Sequence, residues 1–382
     1  MKRILFVSNG HGEIAIAARI AAEVQSRGPA LCDHLALVGD VRYPTTMREV
    51  GPRRALPSGG VIAMGNVRNI ARDLRAGLVS HTLAQLRFLR GARGSYDAAV
   101  AVGDIFALVM ARQARARETI FVGTAKSVHV APYGTLERRV MRGADAVFVR
   151  DADTAADLKQ RGLSATPANV IVDLYAAGAE TIDVPFDPLF AVFPGSRESA
   201  YDDASMLAQI VRAVVQKLPG AGGAISIAPG IDAQRMCARL ERDGWRAEPR
   251  DDARAPFALY DGDREMLRAW TGSPGAMLQR ARLVLGQAGT ANEAAAAMGV
   301  PVVSFARAGE TRTPWYRRRQ MGLLGDAMLL ATADPQQGAA QVLALLEDAP
   351  RRDRMSAIGR QRMGSAGGAA QVAARIAAAV TG

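Results

Sequence analysis

Gly286-Gln-Ala-Gly-Thr-Ala-Asn-Glu-Ala-Ala-Ala-Ala-Met-Gly-Val-Pro-Val-Val303 follows a short apolar run, Leu283-Val-Leu285. An unbroken apolar run of this kind suits a parallel strand buried on both faces. Gly286 and Gly289 make a tight turn, and Thr290 to Met298 is a run of strong helix formers. Gly299 closes that helix, and Val300-Pro-Val-Val303 begins another strand. Strand, glycine turn, helix and strand form one βαβ unit, which sets a helix N-terminus at the carboxyl edge of a sheet. Backbone N–H groups without helical partners favour a phosphate or pyrophosphate there. Thr290 and Glu293 have the spacing of a capping box. Alternatively, Glu293 holds the ribose hydroxyls of a nucleotide whose phosphates rest on Ala288-Gly289-Thr290, with Gln287 beside them. Neither GxxxxGK[ST] nor GxGxxG occurs at this helix, which disfavours an NTPase or a dehydrogenase.

Two further stretches repeat the pattern. Leu189-Phe-Ala-Val-Phe193 is a strand running into Pro194-Gly-Ser-Arg-Glu198, with a helix expected near Asp202. Ser196 can donate to a phosphate, and Arg197 carries a planar fork suited to a pyrophosphate. At the amino terminus, Arg3 to Ser8 is a strand, Asn9-Gly-His-Gly-Glu13 its loop, and Ile14 to about Ser26 a helix. Ala98-Ala-Val-Ala-Val102 is a strand ending at Gly103-Asp104. His11 is a candidate base. Asp104 either caps the next helix or acts as a base or as the orienter of His11.

The Pro194 to Arg197 and Gly286 to Val303 stretches resemble the nucleotide-sugar motifs of glycosyltransferases related to lipid-A-disaccharide synthase, and also the lipid II N-acetylglucosaminyltransferase. Ser8 to Glu13 resembles the glycine-rich acceptor-side loop of those enzymes, namely Asn9, Gly10, Gly12 and Glu13 around His11. This resemblance implies an α/β fold of two doubly wound Rossmann-like domains facing a cleft, the GT-B type. Residues 1–180 would bind the acceptor, residues 189–354 would bind the nucleotide sugar, and a C-terminal helix over 355–382 would cross back to the first domain. It further implies a metal-independent transferase without a cofactor, taking a UDP-sugar as co-substrate and a lipid or lipid-linked acceptor. Its catalytic residues would be His11 and Asp104, its donor-binding residues Ser196, Arg197, Gln287, Gly289, Thr290 and Glu293. A UDP-sugar 2-epimerase and a non-catalytic ligand-binding descendant share the architecture and stay open.

Length and composition agree with two sizeable domains: 382 residues at roughly one domain per 150, with 49% hydrophobic residues and 38 glycines. Cys32 and Cys237 lack any CxxC partner, which fits a reducing compartment and no structural zinc. Asp261-Gly-Asp263 has the form of the metal-binding DxD, but Asp263 reads better as the start of a helix. The start, Met1-Lys-Arg-Ile-Leu-Phe-Val-Ser8, reads as a first strand, and no run of 18 apolar residues occurs, so a cytoplasmic protein is expected. The formal net charge of +11 points to an anionic partner. Arginines interleave with apolar residues over 66–93, as in a basic amphipathic helix lying on the inner face of an anionic membrane. Nucleic acid is not expected.

Overall fold

A computed structural model describes residues 1–9, 11–38, 47–54, 77–175, 180–306 and 314–381. The chain divides into two units, one of Met1–Leu174 with Ala366–Gly382, the other of Tyr175–Ser365.

The first unit opens with β1 (Lys2–Ser8), α1 (His11–Ser26), β2 (Ala30–Ala36), β3 (Arg48–Glu49) and α2 (Leu78–Gly91). It continues through β4 (Ala98–Gly103), α3 (Ile105–Ala111), β5 (Glu118–Gly123), α4 (Thr135–Met141), β6 (Ala146–Val149), α5 (Ala152–Gln160), β7 (Thr166–Pro167) and α6 (Val170–Leu174). All seven strands pair in parallel in the order β3-β2-β1-β4-β5-β6-β7. The order reverses between β1 and β4, and the crevice outside such a reversal is where doubly wound sheets bind ligands. β4 is buried along its whole length because helices cover both faces of the sheet.

The second unit holds β8 (Leu189–Phe193), α7 (Ala200–Lys217), β9 (Gly222–Ser226), α8 (Ala233–Arg242) and β10 (Arg246–Pro249). Then follow β11 (Phe257–Asp261), β12 (Arg264–Trp270), α9 (Pro274–Arg280), β13 (Ala281–Gly286) and α10 (Thr290–Ala297). β14 (Val302–Ala306), α11 (Pro314–Leu324), β15 (Met328–Thr332), α12 (Pro335–Glu347) and α13 (Ala349–Met363) complete it. The sheet order is β10-β11-β12-β9-β8-β13-β14-β15, parallel from β12 to β15 with an antiparallel edge. Here the reversal lies between β8 and β13. Asp261-Gly262-Asp263 opens no helix: it is the turn of the β11–β12 hairpin, with Gly262 at φ +60°.

The last helix also departs from the sequence expectation. Instead of one helix over 355–382, α13 ends at Met363 and α14 spans Gly368–Thr381. Gly364 (φ +74°) and Gly367 (φ +107°) take left-handed conformations that break the helix between them. α13 stays with the second unit, where Gly359 lets it press on α10: a Cβ there would stand 2.3 Å from the Ala296 carbonyl oxygen. α14 belongs to the first. Asp173 of α6 accepts the Gly367 N–H at 2.5 Å and the Ala369 N–H at 2.6 Å, capping the incoming helix. Ala369, Val372, Ala373 and Ile376 are buried in that packing.

Candidate functional site

In the second unit, β8 and β13 are neighbours, with Gly286 opposite Phe193. Past the strand ends the pairing goes on, since Gln287 N and Ala288 N both donate to the Phe193 carbonyl at 2.9 and 3.3 Å. The Pro194–Glu198 turn and the Gln287–Thr290 turn therefore leave the sheet side by side at its reversal point. Gly195, at φ +124°, gives the first turn its direction, and Ser196 and Arg197 are exposed beyond it. The Arg197 guanidinium makes no ion pair or hydrogen bond with any described residue.

α10 starts at Thr290, where the run of helix formers begins, but its cap differs from the capping-box reading. Gly289 is the N-cap, so Thr290 is the first helical residue and the Thr290–Glu293 capping box does not form. Instead Glu293 N donates to the Gly289 carbonyl at 3.2 Å, and the Thr290 hydroxyl lies 2.7 Å from the Tyr175 hydroxyl. No side chain caps this helix, and the N–H groups of Gly289, Thr290 and Ala291 have no hydrogen-bond acceptor among the described residues. Such an end carries unsatisfied donors and the positive pole of the helix dipole, a place for an anion.

Gln287 needs a correction. Its side chain is buried, donating to the Phe305 carbonyl at 2.8 Å and accepting from the Ser304 hydroxyl at 3.3 Å. Arg317 donates to the same Ser304 hydroxyl at 2.6 Å, and Gln320 to the Ala288 carbonyl at 2.8 Å. Gln287 thus holds the turn from within, its side chain directed toward β14. Gly286 also has a packing reason: a Cβ there would lie 2.0 Å from Asn292 Oδ1, and Asn292 Nδ2 donates to the Gly286 carbonyl at 3.2 Å. Glu293 is half-buried in the first turn of α10. The polar stretch over 307–313, read from sequence as a candidate contact to the sugar or diphosphate, lies outside the described residues.

At the reversal point of the first unit, β1 and β4 end together, with Ser8 opposite Val102. Asp104 caps α3, one oxygen accepting the Ala107 N–H at 3.0 Å. Gly103, at φ +128°, leaves room for its neighbours: a Cβ there would stand 3.2 Å from Glu13 Cγ and 3.8 Å from Asn9 Nδ2. Asn9, Glu13 and Asp104 are therefore brought together over the ends of β1 and β4. Burial pushes the Glu13 carboxyl above the usual range, and the Asp104 charge adds to it. His11 opens α1, but its side chain lies outside the described residues, as does Gly10. The His11–Asp104 pair expected from sequence lies outside them too.

Behind this edge Ser8 Oγ lies 2.8 Å from His34 Nε2, both buried. The His34 pKa is pushed down to about 4, first by burial and then by the Arg53 charge. Sequence reading passed over Tyr133. Its ring is buried, its hydroxyl has no hydrogen-bond partner among the described residues, and it fits only because residue 123 is glycine, where a Cβ would be 2.3 Å away. The Lys126 ammonium beside it pairs with Glu137 at 2.7 Å, and His129 Nε2 lies 3.0 Å from Asp153 Oδ2. No group of three or more metal-ligating side chains occurs among the described residues.

No protein-family model matches the chain. No curated protein matches it in sequence either. Solved structures do match in fold. The calicheamicin glycosyltransferase aligns with TM-score 0.62 at 16% identity, over 100% of this chain and 98% of its own. A putative UDP-N-acetylglucosamine 2-epimerase from Listeria monocytogenes aligns with TM-score 0.59 at 13% identity, over 98% and 96%. MurG of Acinetobacter baumannii aligns with TM-score 0.58 at 14% identity, over 99% and 100%. At these identities the likeness is one of fold: two Rossmann-like α/β domains with parallel sheets, as in GT-B glycosyltransferases.

Proposed function

We propose that the protein is a glycosyltransferase that moves a sugar, of the N-acetylglucosamine kind, from a UDP-sugar to the hydroxyl of a lipid or lipid-linked acceptor. One observation carries the reading: two chain turns leave adjacent strands at the reversal point of the second sheet, one ending in an uncapped helix and the other in an unpartnered arginine. A diphosphate is the ligand class that uses both features. Its oxygens accept from the N–H groups of Gly289 and Thr290 and from the Ser196 hydroxyl, while Arg197 takes the charge that grows on the leaving group. These donors can balance that charge without a divalent ion or cofactor. Glu293, one helical turn along, stands as the candidate for the ribose hydroxyls.

Transfer also needs a proton acceptor for the attacking hydroxyl. Asp104 and Glu13 supply carboxylates at the carboxyl edge of the first sheet, with His11 on the same loop. The motif resemblance to lipid-A-disaccharide synthase and to the lipid II N-acetylglucosaminyltransferase supports a lipid-borne acceptor at the inner face of the cytoplasmic membrane. The proposed attachment is peripheral; no described helix is long and apolar enough to cross a membrane.

The 2-epimerase alternative keeps support from the fold neighbour named for that activity. One incubation separates the readings. The protein is mixed with a panel of UDP-sugars, with and without total lipid extract, and products are weighed by mass spectrometry and resolved by NMR. A new glycolipid that requires the extract is the expected result. Epimerised nucleotide sugar formed without extract would replace the transferase by the epimerase, and no product in either arm would leave a ligand-binding protein.

A further inference from the structure

We infer that Tyr175 is a further diphosphate-binding residue: its hydroxyl, held against Thr290, turns to a phosphate oxygen when a diphosphate settles on the N-terminus of α10. That role rests on the donor site proposed above and adds to it a side chain from far away in the sequence. Tyr175 directly follows α6 and is the first residue of the second unit, so the chain enters this unit at the anion site.

A threonine at a helix start ordinarily turns its hydroxyl back to cap the N–H groups of the first turn. Thr290 does not: Gly289 holds the cap position, and no side chain caps α10. Its Oγ1 lies instead 2.7 Å from the Tyr175 hydroxyl, 115 residues away in sequence. Thr290 is exposed and Tyr175 half-buried, so the two hydroxyls sit where a ligand can reach them. Beside them are the N–H groups of Gly289, Thr290 and Ala291, which have no acceptor among the described residues. A hydroxyl is a rotor with one donor and two acceptor lone pairs, so each can swing its hydrogen to an anion on that turn. Binding then exchanges a neutral hydroxyl–hydroxyl contact for bonds to charged oxygen, which are roughly twice as strong.

A second feature of the same helix end points to a ligand. Gln320 on α11 is only 5% exposed, and its Nε2 donates to the Ala288 carbonyl at 2.8 Å. That bond fixes which end of the amide is the nitrogen, and the Oε1 beside it has no hydrogen-bond partner among the described residues. Ala288 precedes the Gly289 cap, so this orphaned oxygen stands at the turn that leads into α10. A buried amide oxygen without a donor costs stability, and folded proteins seldom leave one unless something else supplies it. Phosphate oxygens cannot. A hydroxyl or amide N–H next to the phosphates can, and a sugar nucleotide carries both kinds of group.

Tyr175→Phe removes the hydroxyl and keeps the ring, so it should melt with the wild type. The whole protein and its variants are titrated by calorimetry with UDP and, separately, with inorganic pyrophosphate. In Tyr175→Phe the free protein loses a neutral contact and the complex a charge-assisted one, so both ligands should bind about tenfold more weakly. Thr290→Val keeps the side-chain shape and should do the same. The double variant should lose about 100-fold or more, because the two hydroxyls donate separately. If the tyrosine merely tethered the chain to α10, either single change would break the tether and the double variant would bind like the singles. That result, or unchanged affinity for both ligands in Tyr175→Phe, overturns the tyrosine's role, while a wild type that still binds UDP leaves the donor site standing. A wild type that binds pyrophosphate but not UDP, with the same loss in Tyr175→Phe, keeps the tyrosine's role and removes the nucleotide. A wild type that binds neither removes both.

Discussion

Replacing Arg197 with alanine isolates one half of the donor site without disturbing the fold. The side chain is exposed and unpartnered, so the folded state loses nothing on truncation, and surface changes of this kind stay within about 0.5 kcal/mol. The turn itself is held by backbone: Ala200 N donates to the Arg197 carbonyl at 2.8 Å, a bond that alanine keeps. In the complex, however, Arg197 is assigned a charge-assisted contact to the diphosphate, and such contacts contribute about 1.5–3 kcal/mol. With about 1.4 kcal/mol per factor of ten, the dissociation constant for UDP should rise about 10- to 150-fold. Arg197→Lys keeps the charge but not the planar fork and should fall between the two. Titration calorimetry with UDP, alongside a thermal melt of each variant, reads both quantities. The wild-type advantage should also shrink as salt is raised, since the site is open to solvent. UDP affinity unchanged in Arg197→Ala, at an unchanged melting temperature, would refute the assignment.

Three other outcomes follow from particular contacts. Gly286→Ala places a methyl 2.0 Å from Asn292 Oδ1 and should destabilise the protein by about 1–3 kcal/mol; in an Asn292→Ala background the same change should cost much less, and a denaturant double-mutant cycle without coupling would contradict this. His34, with its pKa lowered from 6.5 to about 4, binds protons in the unfolded chain before it does in the folded one. Stability should therefore fall by about 3 kcal/mol as pH drops from roughly 6.5 to 4, a slope that urea midpoints should show weakened in His34→Asn. Glu13 has the opposite sign: its folded pKa is raised, so ionising it costs stability, which is fully present below the unfolded pKa and lost as pH rises through the folded one. Glu13→Gln should thus gain melting temperature over wild type at neutral pH and lose that advantage in acid; a constant difference across pH would argue against the buried carboxyl.

The parts of the fold most legible in sequence were the buried parallel strands, because covered on both faces they must be apolar throughout, as Leu283-Val-Leu285 and Ala98–Val102 are. The turns that follow them were legible for the same reason, since glycine and proline stand where the chain leaves the sheet. Helix phase was less so. The helix start at Thr290 was read correctly, but the cap was not: Gly289 at φ −82° takes an ordinary conformation and nothing in it betrays its role. The break at Gly364 and Gly367 was visible as two glycines but was outweighed by the helix formers on either side. Asp261-Gly262 is the dipeptide of a tight hairpin, and its place between two apolar runs could have told against the helix assigned to Asp263. Side-chain direction past a strand end was hidden altogether. Gln287 turns inward because Ser304 and the Phe305 carbonyl, supplied by the next strand, need a partner, and Tyr133 settles against a glycine ten residues away.

A structure of the protein with UDP bears most directly on the donor site. The β-phosphate is expected against the N–H groups of Gly289 and Thr290, with Arg197 folded over it and the ribose toward Glu293. A diphosphate found elsewhere in the second unit, or UDP that fails to bind at millimolar concentration, would contradict the site and the transfer chemistry built on it.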